Sequence, residues 1–198
     1  MIQKLALALF LLITAAVIAI LAIAGTRPAT YHVERSIQTS ASPEAVYALI
    51  NDLNRFPEWS PWQDLDPKMT IKVEGGGVGT GASYYWVGNK DVGEGRMTIT
   101  KSTPSTHVAQ RLEFLKPFAS TSDVHFRIMP EAGGSHVTWA MDGTNNYMAK
   151  VMTLFRNMDS MIGKDFEKGL GRLKTVTETA AIPAAVDSTT ADSTAVAK

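Results

Sequence analysis

The chain has 198 residues, with 19 basic and 19 acidic side chains, so it carries no formal net charge and nothing in its overall electrostatics draws it toward nucleic acid. It has no cysteine, which excludes disulfides, thiolate metal sites and a cysteine nucleophile. Its length suits one ordinary domain plus appendages.

The first appendage is apolar. From Leu5 to Ala24 no residue is charged, and Thr14 is the only polar one. About twenty helical residues span roughly 30 Å, the thickness of a bilayer's hydrocarbon core. Ala22-Ile23-Ala24 resembles a small-residue cleavage site, but signal h-regions run about 7–15 residues, so the length favours a retained anchor over residues 1–26. Lys4 precedes the span and Arg27 and Arg35 follow it, so the positive-inside rule is nearly balanced. The very short N-terminal flank inclines the orientation toward an inside N-terminus and a domain on the exported, periplasmic side. Residues 27–30, with Pro28, read as a linker.

Tyr31 to Ser40 is strand-like, with Val33, Arg35, Ile37 and Thr39 on one parity. Ser42-Pro43-Glu44 then starts a helix: a capping hydroxyl, proline at the first helical position, and an acid near the positive end of the dipole. That helix carries Val46, Tyr47, Leu49, Ile50 and Leu53, and gives way to Arg55-Phe56-Pro57-Glu58-Trp59-Ser60-Pro61-Trp62. The two prolines disfavour helix in the residues before them, so this run is expected as a short broken helix or loop bearing aromatics.

From Met69 the period becomes two. Strands are expected around Met69–Val73, Tyr84–Val87, Arg96–Thr100, His107–Phe114, Asp123–Ile128 and His136–Met141, separated by Gly- and Pro-bearing turns. The glycine run Gly75 to Gly81 lacks the Gly-Lys-Ser/Thr of a phosphate loop and reads as a flexible hairpin. Tyr147 to Val176 follows with apolar residues at Met148, Val151, Met152, Phe155, Met158, Ile162, Phe166, Leu170 and Leu173, steps that fit one stripe of a single long helix. Its methionines suit either plain core packing or an adaptable cavity wall. Residues 177–198, rich in Ala, Thr and Ser without an aromatic, read as a disordered tail.

Sequential strands with hairpin-length connections make an antiparallel sheet with one apolar face, and the long helix is the element able to cover it. The fold class is therefore α+β: a curved seven-stranded antiparallel sheet wrapped around a long C-terminal helix, plus one N-terminal transmembrane helix.

Three stretches carry a family resemblance. Tyr31-His32-Val33-Glu34-Arg35-Ser36-Ile37 leads into Ser42-Pro43-Glu44-Ala45-Val46-Tyr47; Asn51 to Trp62 makes a helix-turn with paired tryptophans; and Gly79-Thr80-Gly81-Ala82-Ser83-Tyr84-Tyr85-Trp86 with Gly93-Glu94-Gly95-Arg96-Met97-Thr98-Ile99 forms a hairpin. Over residues 31–176 the chain resembles the helix-grip fold of the START-like superfamily, also called SRPBCC or polyketide cyclase/dehydrase-like. The resemblance implies an apolar ligand held between the sheet's concave face and the last helix. It implies nothing unique about activity, because that scaffold hosts enzymes, lipid carriers and chaperone cofactors.

On that reading the candidate ligand-binding residues are Tyr84, Trp86, Met97, Phe114, Phe126, Trp139 and Met141 from the sheet, with Ile99, Leu112 and Val124 on the same parity. Met152, Phe155 and Met158 would face them from the helix. Trp59 and Trp62 would gate the mouth or cap the core. The partner expected is a hydrophobic small molecule or lipid, with the membrane engaged through the N-terminal helix and no nucleic acid or cofactor. No catalytic residue can be named, because neither a Ser/His/Asp set nor a close carboxylate pair is visible. The alternatives are a cyclase, aromatase or hydratase acting on a polyketide-like compound, and a protein-interaction module. His107, His125 and His136 share the outward parity of their strands, where polar residues are common, and no metal is expected there.

Overall fold

The computed structural model of the protein describes residues 2–154 and 158–181. Helix α1 (Ile2–Gly25) is apolar and its side chains are almost all exposed. Strand β1 (Thr30–Thr39) follows, then α2 (Pro43–Ile50) and the short α3 (Phe56–Trp59). Ser42 caps α2 as its spacing implies: its hydroxyl accepts from the Ala45 N–H at 3.3 Å, with Pro43 and Glu44 in the first turn.

Strands β2 (Thr70–Glu74), β3 (Ser83–Val87), β4 (Glu94–Thr103), β5 (His107–Lys116), β6 (Ser120–Glu131) and β7 (Gly134–Thr144) complete one curved, antiparallel seven-stranded sheet. Its order is β1-β7-β6-β5-β4-β3-β2, so the chain's first strand joins its last one. Register aligns the inward residues in rows. Trp86 faces Gly95 and then Phe114; Tyr84 faces Met97 and then Leu112; Ile99 faces Gln110, Val124 and Met141; and Val108 faces Phe126 and Trp139. These rows form the core together with Val46, Leu49, Ile50 and Leu53 of α2 and its C-terminal turn.

The glycine run between β2 and β3 is fastened rather than loose. Leu53 N–H donates to the Gly77 carbonyl at 2.7 Å, and Gly79 N–H to the Asn51 carbonyl at 3.1 Å. Gly77 takes φ +76°, and a Cβ there would lie 2.1 Å from the Asn54 amide nitrogen, so this turn requires glycine twice over.

The expected single helix over 147–176 is two helices. Helix α4 (Tyr147–Met152) begins at an Asn146 cap and ends at Thr153. The Thr153 hydroxyl donates back to the Lys150 carbonyl at 2.8 Å, the kind of local competition by which a mid-helix threonine weakens the ladder. Helix α5 (Met158–Ala181) then crosses the concave face, running five residues past the expected boundary at Val176. The remainder of the expected tail, 182–198, lies outside the described residues.

Phe166, Leu170 and Leu173 of α5 are fully buried against the sheet. Phe166 stacks on Trp139 with centroids 4.1 Å apart and planes at 10°, a pairing worth about 0.5–1.5 kcal/mol beyond burial. Glycine permits this closeness: a Cβ on Gly169 would lie 2.7 Å from Cζ3 of Trp139.

Ion pairs hold the helix along its length. Arg35, inward on β1, donates to both carboxylate oxygens of Asp159 at 2.9 and 3.0 Å and to Glu167 at 2.7 Å. Lys168 and Arg172 reach Asp64 in the segment after α3, and Arg172 also donates to the Ser60 carbonyl at 2.7 Å. At the far end Glu178 accepts from the Ser40 N–H at 2.9 Å.

Candidate functional site

Helix and sheet do not meet everywhere. Between them lies a cavity of about 200 Å³. Its floor is the concave face of β3 to β7, contributing Tyr84, Trp86, Met97, Gln110, Leu112, Phe114, Val124, Trp139 and Met141. Ile162, Asp165 and Phe166 of α5 form the opposite wall. Phe56, Ser60, Trp62 and Met69, with Asp91 and Val92 of the β3–β4 turn, complete the lining. A predominantly apolar wall with a few polar groups is the composition of small-molecule pockets.

Local sequence sets each part. Pro57 and Pro61 keep α3 to four residues, which turns Trp59 and Trp62 to different jobs. Trp59 is fully buried and edge-on to Phe56, Phe126 and Trp139, with centroids 5.0 to 5.7 Å apart, so it caps the core behind the cavity. Trp62 stays half-buried and lines the cavity, with its ring 6.0 Å from Trp139. Trp86 is edge-on to Phe114 at 5.8 Å, and its indole N–H reaches the Val92 carbonyl at 3.4 Å, tying the strand to the β3–β4 turn.

Three polar atoms on lining residues are buried without a hydrogen-bond partner among the described residues: the Tyr84 hydroxyl, Nε2 of Gln110 and Nε1 of Trp139. Each such buried, unpaired group costs about 1–3 kcal/mol, so three on one cavity wall require an explanation. Burial alone pushes the Tyr84 phenol up to about 12, which keeps it protonated near neutrality. Gln110 is only 2% exposed although it lies in the middle of an apolar face.

The structure brings together seven of the expected site residues: Trp62, Tyr84, Trp86, Met97, Phe114, Trp139 and Met141. Phe126 and Trp59 stand behind them in the packed core. Met152 does not face the sheet. It lies on α4 and is 52% exposed, because the break at Thr153 uncouples the rotation of α4 from that of α5. Met158 lines a separate cleft beside Arg27, Pro28, Tyr31 and Asn145. Phe155 lies outside the described residues. The helical wall therefore comes from one to two turns further on.

Sequence reading missed Phe56, Ser60, Met69, Asp91, Val92, Gln110, Ile162, Asp165 and Phe166 as lining residues. For Gln110 there was a signal: it shares the parity of Val108, Leu112 and Phe114, and a polar side chain in an inward row marks a position with a special partner.

On the outer face His107 Nε2 and His125 Nδ1 lie 3.3 Å apart with stacked rings, and burial, then the His125 charge, lowers the His107 pKa. His136 aligns instead with Met129 and Gln38, away from that pair. Among the described residues no three His, Asp or Glu side chains converge as a metal site.

A sheet gripping a helix over an apolar cavity is the architecture of helix-grip proteins. The chain belongs to the polyketide cyclase/dehydrase and lipid transport family, whose profile matches residues 30–178. A search of curated protein sequences gave no match. Among solved structures, a Chromobacterium violaceum protein superposes with a TM-score of 0.54 at 15% identity, covering 76% of this chain and 99% of that one. A Staphylococcus aureus protein of unknown function gives 0.55 at 16%, covering 76% and 95%. The di-domain ARO/CYC protein StfQ of the steffimycin biosynthetic pathway gives 0.55 at 11%, covering 77% of this chain and 52% of that one. At these identities the likeness is one of fold.

Proposed function

We propose that the domain binds an apolar small molecule, a lipid or polyketide-like compound, in the cavity between the sheet and α5, while α1 tethers it to a membrane. The observation that carries this reading is the cavity itself: about 200 Å³ within a core otherwise packed by large aromatics, with unpaired polar atoms in its wall. A protein interior normally closes such space, since packing approaches that of organic crystals. The family's description, which couples cyclase or dehydrase activity with lipid transport, agrees with an apolar occupant.

Binding without turnover fits the lining better than catalysis does. Among the described hydrogen bonds, none joins Ser60, Tyr84, Asp91 or Asp165 to another of the four, so no nucleophile stands beside a base.

The tether rests on the 24 apolar residues of α1 and on its junction with the domain. The Tyr147 hydroxyl donates to the Leu21 carbonyl at 2.6 Å, joining α4 to the last turns of α1. Met148 and Met152 are exposed on that same short helix, where a bilayer surface would cover them. A full-length mass in carbonate-washed membranes supports the anchor; loss of the first two dozen residues would reduce α1 to a signal sequence. For the ligand, the full-length protein is purified from membranes and its bound small molecules are extracted and weighed. One apolar compound per chain supports the proposal, and an empty protein that also takes up nothing from a total lipid extract opposes it.

A further inference from the structure

We infer that the cavity selects neutral molecules carrying hydrogen-bond acceptor oxygens, such as ketone or ester carbonyls, and rejects amphiphiles with a carboxylate. This rests on the binding function proposed above and specifies the chemistry of the ligand.

The charge inventory excludes an anion. The cavity lining contains two carboxylates, Asp91 and Asp165, and no lysine, arginine or histidine. The cations of α5 and β1 that lie nearest in sequence to lining residues are engaged with other acids: Arg172 and Lys168 with Asp64, and Arg35 with Asp159 and Glu167. A carboxylate entering this space would leave water with no cation to meet it, and would face the field of Asp165.

The polar inventory calls for acceptors. Nε2 of Gln110 and Nε1 of Trp139 can only donate, and the phenol of Tyr84 is a donor in search of an acceptor. Tyr84 stands on β3, Gln110 on β5 and Trp139 on β7, so the unpaired donors are spread across the floor rather than gathered at one point. That spacing suits separate carbonyl oxygens along one molecule better than a single anionic head. Trp139 is held by its stack on Phe166, whereas Gln110 can turn its amide about its terminal bond to meet an incoming oxygen. Burial keeps the Tyr84 hydroxyl protonated and available to donate.

The test uses the full-length chain in nanodiscs of zwitterionic lipid at pH 8, with 2-decanone, decanoic acid and decane competing against a neutral fluorescent apolar probe. The expected order is ketone, then decane, then acid, with the ketone ahead of the acid by about tenfold or more, the worth of one or two recovered hydrogen bonds. Tyr84→Phe and Gln110→Met should erase most of the ketone's lead over decane and leave decane itself unchanged. If either variant fails to fold, the wild-type ranking decides alone. An acid that binds as tightly as the ketone, or a ketone no better than decane, overturns the inference while leaving the binding function standing. If none of the three competes and the probe itself does not bind, the binding function fails as well.

Discussion

The indole of Trp86 occupies the space that a side chain at its cross-strand partner Gly95 would fill: a Cβ on Gly95 would lie 2.4 Å from Cζ2 of Trp86 and 2.6 Å from the Glu113 carbonyl oxygen. A glycine in mid-strand weakens a sheet, and its use here marks a close approach. Trp86 is a wall of the cavity, so Gly95 sets where that wall stands. Gly95→Ala should cost about 1–3 kcal/mol by overpacking. The double variant Gly95→Ala/Trp86→Ala should cost less than the sum of its singles, because one clash disappears. Thermal denaturation of the three proteins checks this, and strict additivity would mean the indole is not what Gly95 accommodates.

Val124 lies in the row between Gln110 and Met141 and lines the cavity. Val124→Phe should fill the space, lower affinity for an apolar probe by at least tenfold, and cost no more than about 1–3 kcal/mol of stability. Met152→Trp should leave probe affinity unchanged, since Met152 is exposed on α4. Loss of binding in the Met152 variant alone would contradict the assignment of the wall to Ile162, Asp165 and Phe166.

These two positions also show what the sequence could convey. Alternation along β3 to β7 points Tyr84, Trp86, Met97, Phe114, Trp139 and Met141 inward, and register then gathers them in rows. The interruption after Met152 is invisible to periodicity, because the apolar steps from Met148 to Leu173 continue across it as though one helix ran throughout. The break at Thr153 is a matter of local hydrogen bonding. Trp59 and Trp62 look equivalent in sequence and diverge only because the proline-limited turn after α3 points one into the core and the other to the cavity. Arg35 shares the inward parity of Val33 and Ile37, and its partners Asp159 and Glu167 lie more than a hundred residues away. No local pattern names such a pair.

Tyr84→Phe removes a buried hydroxyl that has no protein partner. In the ligand-free protein this should leave stability unchanged or raise it by about 1 kcal/mol, since an unpaired buried group is a liability. Most buried tyrosine hydroxyls behave the other way. A clear loss of Tm in the empty variant would show that the hydroxyl has a partner within the folded chain.

Acid should loosen α5 from the sheet. The guanidinium of Arg35 holds the Asp159 carboxyl below its usual range, Arg172 and then Lys168 do the same for Asp64, and the Ser40 backbone N–H does so for Glu178. A carboxyl with a lowered folded pKa contributes stability that is fully present above its unfolded value, near pH 4, and is lost as pH falls through the folded value. Tm should therefore hold from pH 7 to about 5 and decline below pH 4. Asp159→Asn and Asp64→Asn should each lower the neutral-pH Tm modestly and flatten the decline. A Tm profile of these variants parallel to that of the wild type would rule out the pairs as its source.

The binding reading stands or falls on whether the cavity takes up a molecule. Trp62, Trp86 and Trp139 line it and Trp59 packs directly behind, so all four tryptophans of the chain report on its contents. Titrating the full-length protein with a brominated, neutral ten-carbon ketone and following tryptophan fluorescence is the most direct measurement. The account predicts saturable quenching with a stoichiometry of one per chain, lost in a folded Val124→Phe variant. Quenching that never saturates, or that is the same in the folded Val124→Phe protein, would contradict it.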